Sequence, residues 1–152
     1  MTAREYFEGA RSAQRRIDGR LASIQSMAET EAQRAQRYDA IGHGSGISDP
    51  MARVDARIDA EARARAELAD LEAAVDDARQ VCAGIRRANP NQPFWGDALE
   101  HHYLDLMTWA ESGSMFGVSA ETMRRAAYSA LDWVDAVGIA AAREGMGQAA
   151  LF

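Results

Sequence analysis

The chain is predicted to be all-α: a long antiparallel helical hairpin, or coiled coil, followed by a three-helix helix-turn-helix module. Three observations predict it. Alanine and arginine are abundant, lysine is absent and there are only 3 prolines, a composition that favours helices. Two long stretches carry apolar side chains three and four residues apart, the spacing of a narrow helical seam. Between Thr108 and Val134, cap residues and spaced glycines mark two short helices meeting at a tight turn.

The first long helix is expected from about Thr2 to Tyr38, with Phe7, Ala10, Ile17, Leu21, Ile24, Ala28, Ala35 and Tyr38 on its seam and Gln14 and Glu31 interrupting it. Gly9 and Gly19 weaken it locally. Ile41 to Asp49 follows as a turn, in which three glycines alternate with His43 and Ser45. This segment follows a helix and not a strand, and no lysine exists to meet a phosphate, so a plain turn is expected over a nucleotide loop.

Asp49 and Pro50 read as the N-cap and first residue of a second long helix, running to about Arg87. Met51, Val54, Ile58, Leu68, Leu71, Val75, Ala78, Cys82 and Ile85 form its stripe, with a slip of register between Glu61 and Arg65. The i,i+4 pair Glu61 and Arg65 is expected on its surface. Two helices bury little by themselves, so self-association or docking against the rest of the chain is expected.

Asn89 to Pro93 ends that helix, because proline disfavours helical geometry in the residue before it. Three domains result: a hairpin over 1–89 with its turn at 41–49, a helix-turn-helix module over 90–144, and a flexible tail over 145–152. Phe94, Trp95, Leu99, Tyr103, Leu104 and Leu106 mark a support helix into which Trp109 packs. Thr108 with Glu111 is a capping box that opens the next helix. Gly117 ends it, and Ser119 caps a third helix whose Met123, Ala126, Ala127, Ala130, Leu131 and Val134 share one face. Glu121, Arg125, Tyr128 and Asp132 fall on the wet face. Gly113 must be small for close approach, and Gly117 must bend the chain. The third helix is expected to continue past Val137 to Arg143 or Glu144, where Gly145 and Gly147 end it.

Thr108, Glu111, Gly113, Phe116-Gly117-Val118-Ser119, Glu121, Arg124 and Ala130-Leu131 together resemble the region 4 helix-turn-helix of bacterial sigma factors, which reads promoter minus-35 elements. With Pro93, Tyr103 and Thr108-Trp109 behind a long coil, the chain is more specifically similar to small phage-encoded sigma-region-4-like proteins grouped with late-gene transcription regulators. The resemblance covers about a quarter of the chain and implies contact with promoter-like double-stranded DNA, with RNA polymerase, or with both. It places Ser119, Ala120, Glu121, Thr122, Arg124, Arg125 and Tyr128 at the DNA. Chemically, Glu can accept from cytosine N4 and Arg can donate to guanine O6 and N7. Arg125 stands where the family usually has glutamine, Ala120 and Thr122 where it has arginines, and Ser129 and Asp132 where basic residues brace phosphates. Ser112 occupies a position that is normally apolar and is expected to cost core stability.

Charge divides unevenly. Residues 1–90 hold 14 arginines against 15 acids, net −1, while residues 91–152 hold 3 against 8, net −5, within a formal total of −6. Non-specific duplex affinity comes mainly from cations displacing counterions, so this balance is evidence against strong independent DNA binding by the acidic half without excluding it. Arg4, Arg11, Arg15, Arg16 and Arg20 could supply cations from another element. At the chain end, Gln148, Leu151 and Phe152 resemble the short motif by which bacterial polymerases and repair proteins dock on the DNA sliding clamp. The bland alternative is that Leu151 and Phe152 fold back on the protein's own core.

No catalytic constellation emerges, and the chain is read as a non-enzyme without cofactor. His101 and His102 are adjacent and point about 100° apart on a helix, so they do not share a metal. Cys82, the sole cysteine, lies on the packing stripe as a core thiol and fits a reducing cytoplasm. No stretch is long and apolar enough for a bilayer, and Glu5 and Glu8 do not suit a signal peptide. The reading is a phage- or prophage-type transcription regulator that self-associates. A host-directed adaptor or inhibitor of polymerase or clamp, without strong DNA binding, and a small terminase-like packaging subunit are the alternatives.

Overall fold

A computed structural model describes residues 1–41 and 50–147. The described residues are all-helical, with no strand and six α-helices: α1 (Ala3–Ile41), α2 (Pro50–Ala88), α3 (Trp95–Leu99), α4 (Trp109–Phe116), α5 (Ala120–Val137) and α6 (Ile139–Glu144). A π-helical segment, Glu100–Leu104, continues from α3. None of these helices is long and apolar enough to cross a membrane. The 41–49 turn beyond Ile41, including His43, Ser45 and the Asp49 cap, lies outside the described residues.

The chain forms two compact units: Met1–Gln14 with Glu72–Phe152, and Arg15–Leu71. The division therefore falls inside both long helices, whereas the break in secondary structure falls after Ala88, at the proline-containing stretch.

In the second unit the seam differs from the apolar stripe of the sequence. Leu21 is 51% exposed and Ile58 50% exposed, while Ala28 and Ala35 are also on the surface. Half-buried Met27 takes the inner position beside Ile24. On α2 the inner positions are Val54, Arg57, Ala60, Glu61, Ala64 and Leu68, so the spacing of three and four continues through Arg57, Glu61 and Ala64. It does so because Arg57 donates to Glu61 at 2.8 Å and their aliphatic stems occupy the seam, a use of long charged side chains that the hydropathy pattern hides. Glu61 thus pairs with Arg57 and not Arg65. Arg20 pairs with Glu67 at 2.7 Å in the same unit.

The first unit is built on glycine contacts. In α2, a Cβ on Gly84 would lie 1.9 Å from the Ala142 carbonyl oxygen, so the α6 backbone rests directly on α2. On α3, a Cβ on Gly96 would meet the Cys82 carbonyl oxygen at 2.8 Å. Phe7, Val81, Cys82, Ile85, Leu99, Leu104, Met123 and Val134 fill the core between these approaches. Arg86 reaches Asp97 and Glu100, and Arg79 reaches Glu100 and Asp105, tying α2 to the α3 segment.

The support helix is shorter than the apolar pattern implies: regular α-helix stops at Leu99, a π turn follows, and Leu106 takes a left-handed φ of 58°. The Met107 amide then bonds back to the His101 carbonyl at 2.9 Å, so a leucine fills the position that glycine usually takes at a helix end. The expected run from α5 to Glu144 is also interrupted. Gly138 adopts φ 93°, ψ 150°, a region essentially confined to glycine, and redirects the chain so that α6 can reach Gly84.

Candidate nucleic-acid interface

The turn between α4 and α5 forms as its local signals dictate. Thr108 Oγ1 accepts from the Glu111 amide at 3.1 Å, starting α4. Gly117 ends it in the left-handed region at φ 68°, and the Val118 amide bonds to the Gly113 carbonyl. A Cβ on Gly113 would lie 2.7 Å from the Val118 carbonyl oxygen, so the atom that demands a small residue belongs to the turn itself. Ser119 then accepts from the Thr122 amide at 3.1 Å and caps α5. Met123, Ala127, Ala130, Leu131 and Val134 are buried, and the α5 face carrying Glu121, Arg125, Tyr128 and Asp132 is exposed.

Ser112 is fully buried, yet its polarity is satisfied. Its hydroxyl donates to the carbonyls of Thr108 at 3.3 Å and Trp109 at 3.2 Å, bonds that an apolar pattern does not anticipate. No orphaned polar atom results, which removes the reason to expect a large stability cost.

On the open face, Glu121 accepts from Arg124 at 2.5 Å and from Arg125 at 3.0 Å. The Arg124 hydrogen bond, with Arg125 beside it, holds the Glu121 carboxyl below its ordinary range. Neither arginine is sealed: the Arg125 side chain is 78% exposed, and Glu121 and Arg124 are also open to solvent. Ser119 and Thr122 share a hydroxyl contact at 2.9 Å at the start of the helix, while Ala120 is half-buried. Tyr128 is 36% exposed, with the Arg124 guanidinium 5.3 Å from its ring centroid and Trp109 edge-on at 6.4 Å.

The first turn of α1 adjoins this face. Thr2 and Glu5 form a reciprocal capping box, Thr2 Oγ1 accepting from the Glu5 amide and Glu5 accepting from the Thr2 amide. The spacing Thr-x-x-Glu carries that signal in the sequence. Ala3 N–H donates to Asp135 of α5 at 2.7 Å, and Arg4 lies over Tyr128 at 5.1 Å. What no local pattern shows is that α1 packs here at all. Phe7, fully buried, is the anchor, with Tyr103 at 5.8 Å. Tyr6 donates a short hydrogen bond to Asp77, which also binds Arg143.

Behind the face, His102 stacks on Trp109 with centroids 3.6 Å apart. Its Nδ1 faces the Met107 carbonyl, which can only accept, so the proton is on Nδ1 and Nε2 accepts from Arg11 at 3.3 Å. Burial lowers the His102 pKa; the Met107 bond opposes that and the Arg11 charge adds to it. His101 instead meets Asp105 at 2.8 Å. Among the described residues there is no group of three or more side chains able to hold a metal ion. Cys82 is completely buried, and burial pushes its thiol pKa far up.

Gln148, Leu151 and Phe152 lie outside the described residues. The chain is fixed just before them, where Trp133 Nε1 donates to the Gly147 carbonyl at 2.7 Å. No protein-family model, no curated protein and no solved structure matches the chain.

Proposed function

We propose that α4, its turn and α5 are a sigma-region-4-like helix-turn-helix, with α3 and the π segment as the third helical element, in a phage-type transcription regulator that contacts double-stranded DNA, RNA polymerase or both. The observation that carries this reading is the combination of a well-capped α5 with an open face on which Glu121, Arg124, Arg125 and Tyr128 stand together. Glu121 holding two arginines is no obstacle. Exposed ion pairs are weak and salt-screened, so the guanidiniums exchange a carboxylate for a base edge or phosphate at little cost.

The two long helices are proposed to pair as an antiparallel hairpin that presents this module and self-associates. Within the second unit, Arg20 on α1 meets Glu67 on α2, while residues 26–34 share a groove with 53–57 further along, the falling order that antiparallel pairing requires. Half-exposed Leu21 and Ile58 are the apolar surface available to a second copy. Gln148, Leu151 and Phe152 are proposed to tether the protein to a sliding clamp, which raises effective concentration at DNA without a new base contact. A clamp pull-down that survives deletion of residues 148–152 removes that part of the reading.

The test of the main proposal is a gel shift on promoter fragments across a salt series. Binding that falls steeply with salt and is weakened by Arg124→Ala supports it. The net charge of −5 over residues 91–152 favours a second reading, a host-directed adaptor that binds a protein without DNA. Absence of any shift at low salt, with polymerase or clamp bound by the purified chain, supports that one. Ring-sized assemblies in solution favour the packaging-subunit alternative over both.

A further inference from the structure

Every arginine on the C-terminal side of residue 91 is engaged with a carboxylate: Arg124 and Arg125 with Glu121, and Arg143 with Asp77. Arg4 is different. It is exposed, it makes no ion pair among the described residues, and its guanidinium lies 5.1 Å from the ring centroid of Tyr128, on the open face of α5. Its backbone is fixed by the Thr2–Glu5 capping box, by the Ala3 amide bonded to Asp135, and by buried Phe7 one turn on. Three of the acids around it are engaged, and Glu8, one turn on along α1, is exposed. Glu5 accepts from the Thr2 amide, Asp135 from the Ala3 amide, and Glu121 from two arginines.

We propose that Arg4, held over Tyr128 by the first turn of α1, is a backbone-phosphate contact of this face, supplying from the other end of the chain the cation that the acidic C-terminal segment lacks. The inference rests on the duplex-reading proposal above and adds a binding residue outside the helix-turn-helix. A guanidinium lying on an aromatic ring keeps its N–H fork directed outward and loses less freedom when a phosphate arrives. Glu121, between Arg124 and Arg125, sets which base edges those two can approach. Arg4 is in no such ion pair among the described residues, and a phosphate contact is sequence-independent.

The experiment is fluorescence anisotropy with the full chain and a labelled duplex of mixed sequence, read as the slope of log affinity against log salt. One phosphate contact is worth about 0.9 in that slope. Arg4→Ala is expected to flatten the slope by that amount. Between ~50 and ~200 mM salt the wild type then loses about 3.5-fold more affinity than the variant. Arg4→Lys restores the slope, and Arg65→Ala, an exposed arginine of the other unit, leaves it unchanged. Equal flattening by Arg4→Ala and Arg65→Ala reports a general charge effect and overturns the assignment of Arg4. An unchanged slope in Arg4→Ala, with the wild type binding, overturns it too and leaves the helix-turn-helix reading standing. A wild type that binds no duplex at low salt overturns both. Matching thermal melts of wild type and variants show that the comparison is between folded proteins.

Discussion

Gly84→Ala is a sharp test of how the first unit is held together, because two effects of opposite sign act at one atom. In a helix interior alanine is preferred over glycine by about 1 kcal/mol, so local propensity predicts that the variant gains stability. The structure predicts a loss. The new Cβ would sit 1.9 Å from the Ala142 carbonyl oxygen and 2.7 Å from that of Arg143, both of them backbone atoms. Reaching even 3.0 Å requires α6 to retreat by about 1.1 Å. That retreat pulls on the Arg143–Asp77 pair, on the Arg87 bond to the Arg143 carbonyl and on the Trp133 bond to Gly147. Overpacking of this kind costs about 1–3 kcal/mol and each loosened hydrogen bond about 1 kcal/mol. With the middle of the overpacking range, the equivalent of one hydrogen bond lost and the propensity gain subtracted, a net loss of about 2 kcal/mol is expected. All 3 tryptophans, Trp95, Trp109 and Trp133, belong to the first unit, so urea unfolding followed by their fluorescence reports on that unit. Gly9→Ala is the control in the same unit, with nothing within 4 Å of its Cβ position and an expected gain of about 0.5–1 kcal/mol. If Gly84→Ala raises the midpoint as Gly9→Ala does, α6 does not rest on α2 and the packing argument fails.

Other outcomes follow from the same geometry. Ser112→Ala should change stability by less than about 1 kcal/mol in urea titrations, whereas Ser112→Leu, which restores the apolar pattern, should cost about 1–3 kcal/mol by overpacking a fully buried site. A folded-state His102 pKa below its unfolded value means that stability is complete above the unfolded pKa, about 6.5. It declines as pH falls below that value, since protonation places a cation in a part-buried site against Trp109 and Tyr103, a cost to which the Arg11 charge adds. His102→Phe, which keeps a ring on Trp109, should flatten stability between about pH 7 and 5 in melts across that range. Asp77 gives a separate acid limb. Burial raises its pKa, but the Arg143 and Tyr6 bonds outweigh burial, so stability present above the unfolded carboxylate value is lost as pH falls through the lowered one. Asp77→Asn should remove that limb. Cys82 should react with thiol reagents only at the rate of unfolding, because its sulfur is buried and its thiolate disfavoured.

The parts of this fold that were legible in the sequence are those whose cause is local. Thr108, Gly117 and Ser119 act on backbone groups a few residues away, and each stands where its spacing places it. The α5 core face was readable because one surface buries a period of three and four. Glycines in contact with distant backbone were not. Gly84 and Gly96 sit inside unbroken helices to admit side-chain or backbone atoms of another element, and no local spacing tells which element approaches them. Gly138 lies in an alanine-rich run whose spacing carries the helix through it despite a local cost of about 1 kcal/mol, while its ψ of 150° ends the helix there. In the long helices, Arg57 and Glu61 hold seam positions that hydropathy gives to Ile58. Of the site, the Arg124, Arg125 and Glu121 cluster was visible as a helical spacing, but the placement of Arg4 against Tyr128 was not, since more than a hundred residues separate them.

That placement changes how the acidic balance of the C-terminal segment bears on DNA. Counting charge by stretches of sequence assigns α1's arginines to the coil and leaves the α5 face with a deficit of cations. Counting by contact assigns Arg4 to α5, because the Ala3–Asp135 bond and buried Phe7 make the first turn of α1 part of the same unit. Asp135 then acts as the acceptor for the incoming helix end as well as adding a negative charge near the face. A carboxylate that receives a helix N-terminal N–H is stabilised by that partial positive charge, which offsets part of its field at the surface. Asp135→Asn therefore sets two effects against each other: it removes a charge that repels phosphate, and it weakens the bond that holds Arg4 in place. If fixing Arg4 matters more, the variant binds duplex more weakly and with a flatter salt slope, although its net charge has become more positive. Tighter binding with an unchanged slope would mean that simple charge balance governs this face and that α1 is only its scaffold.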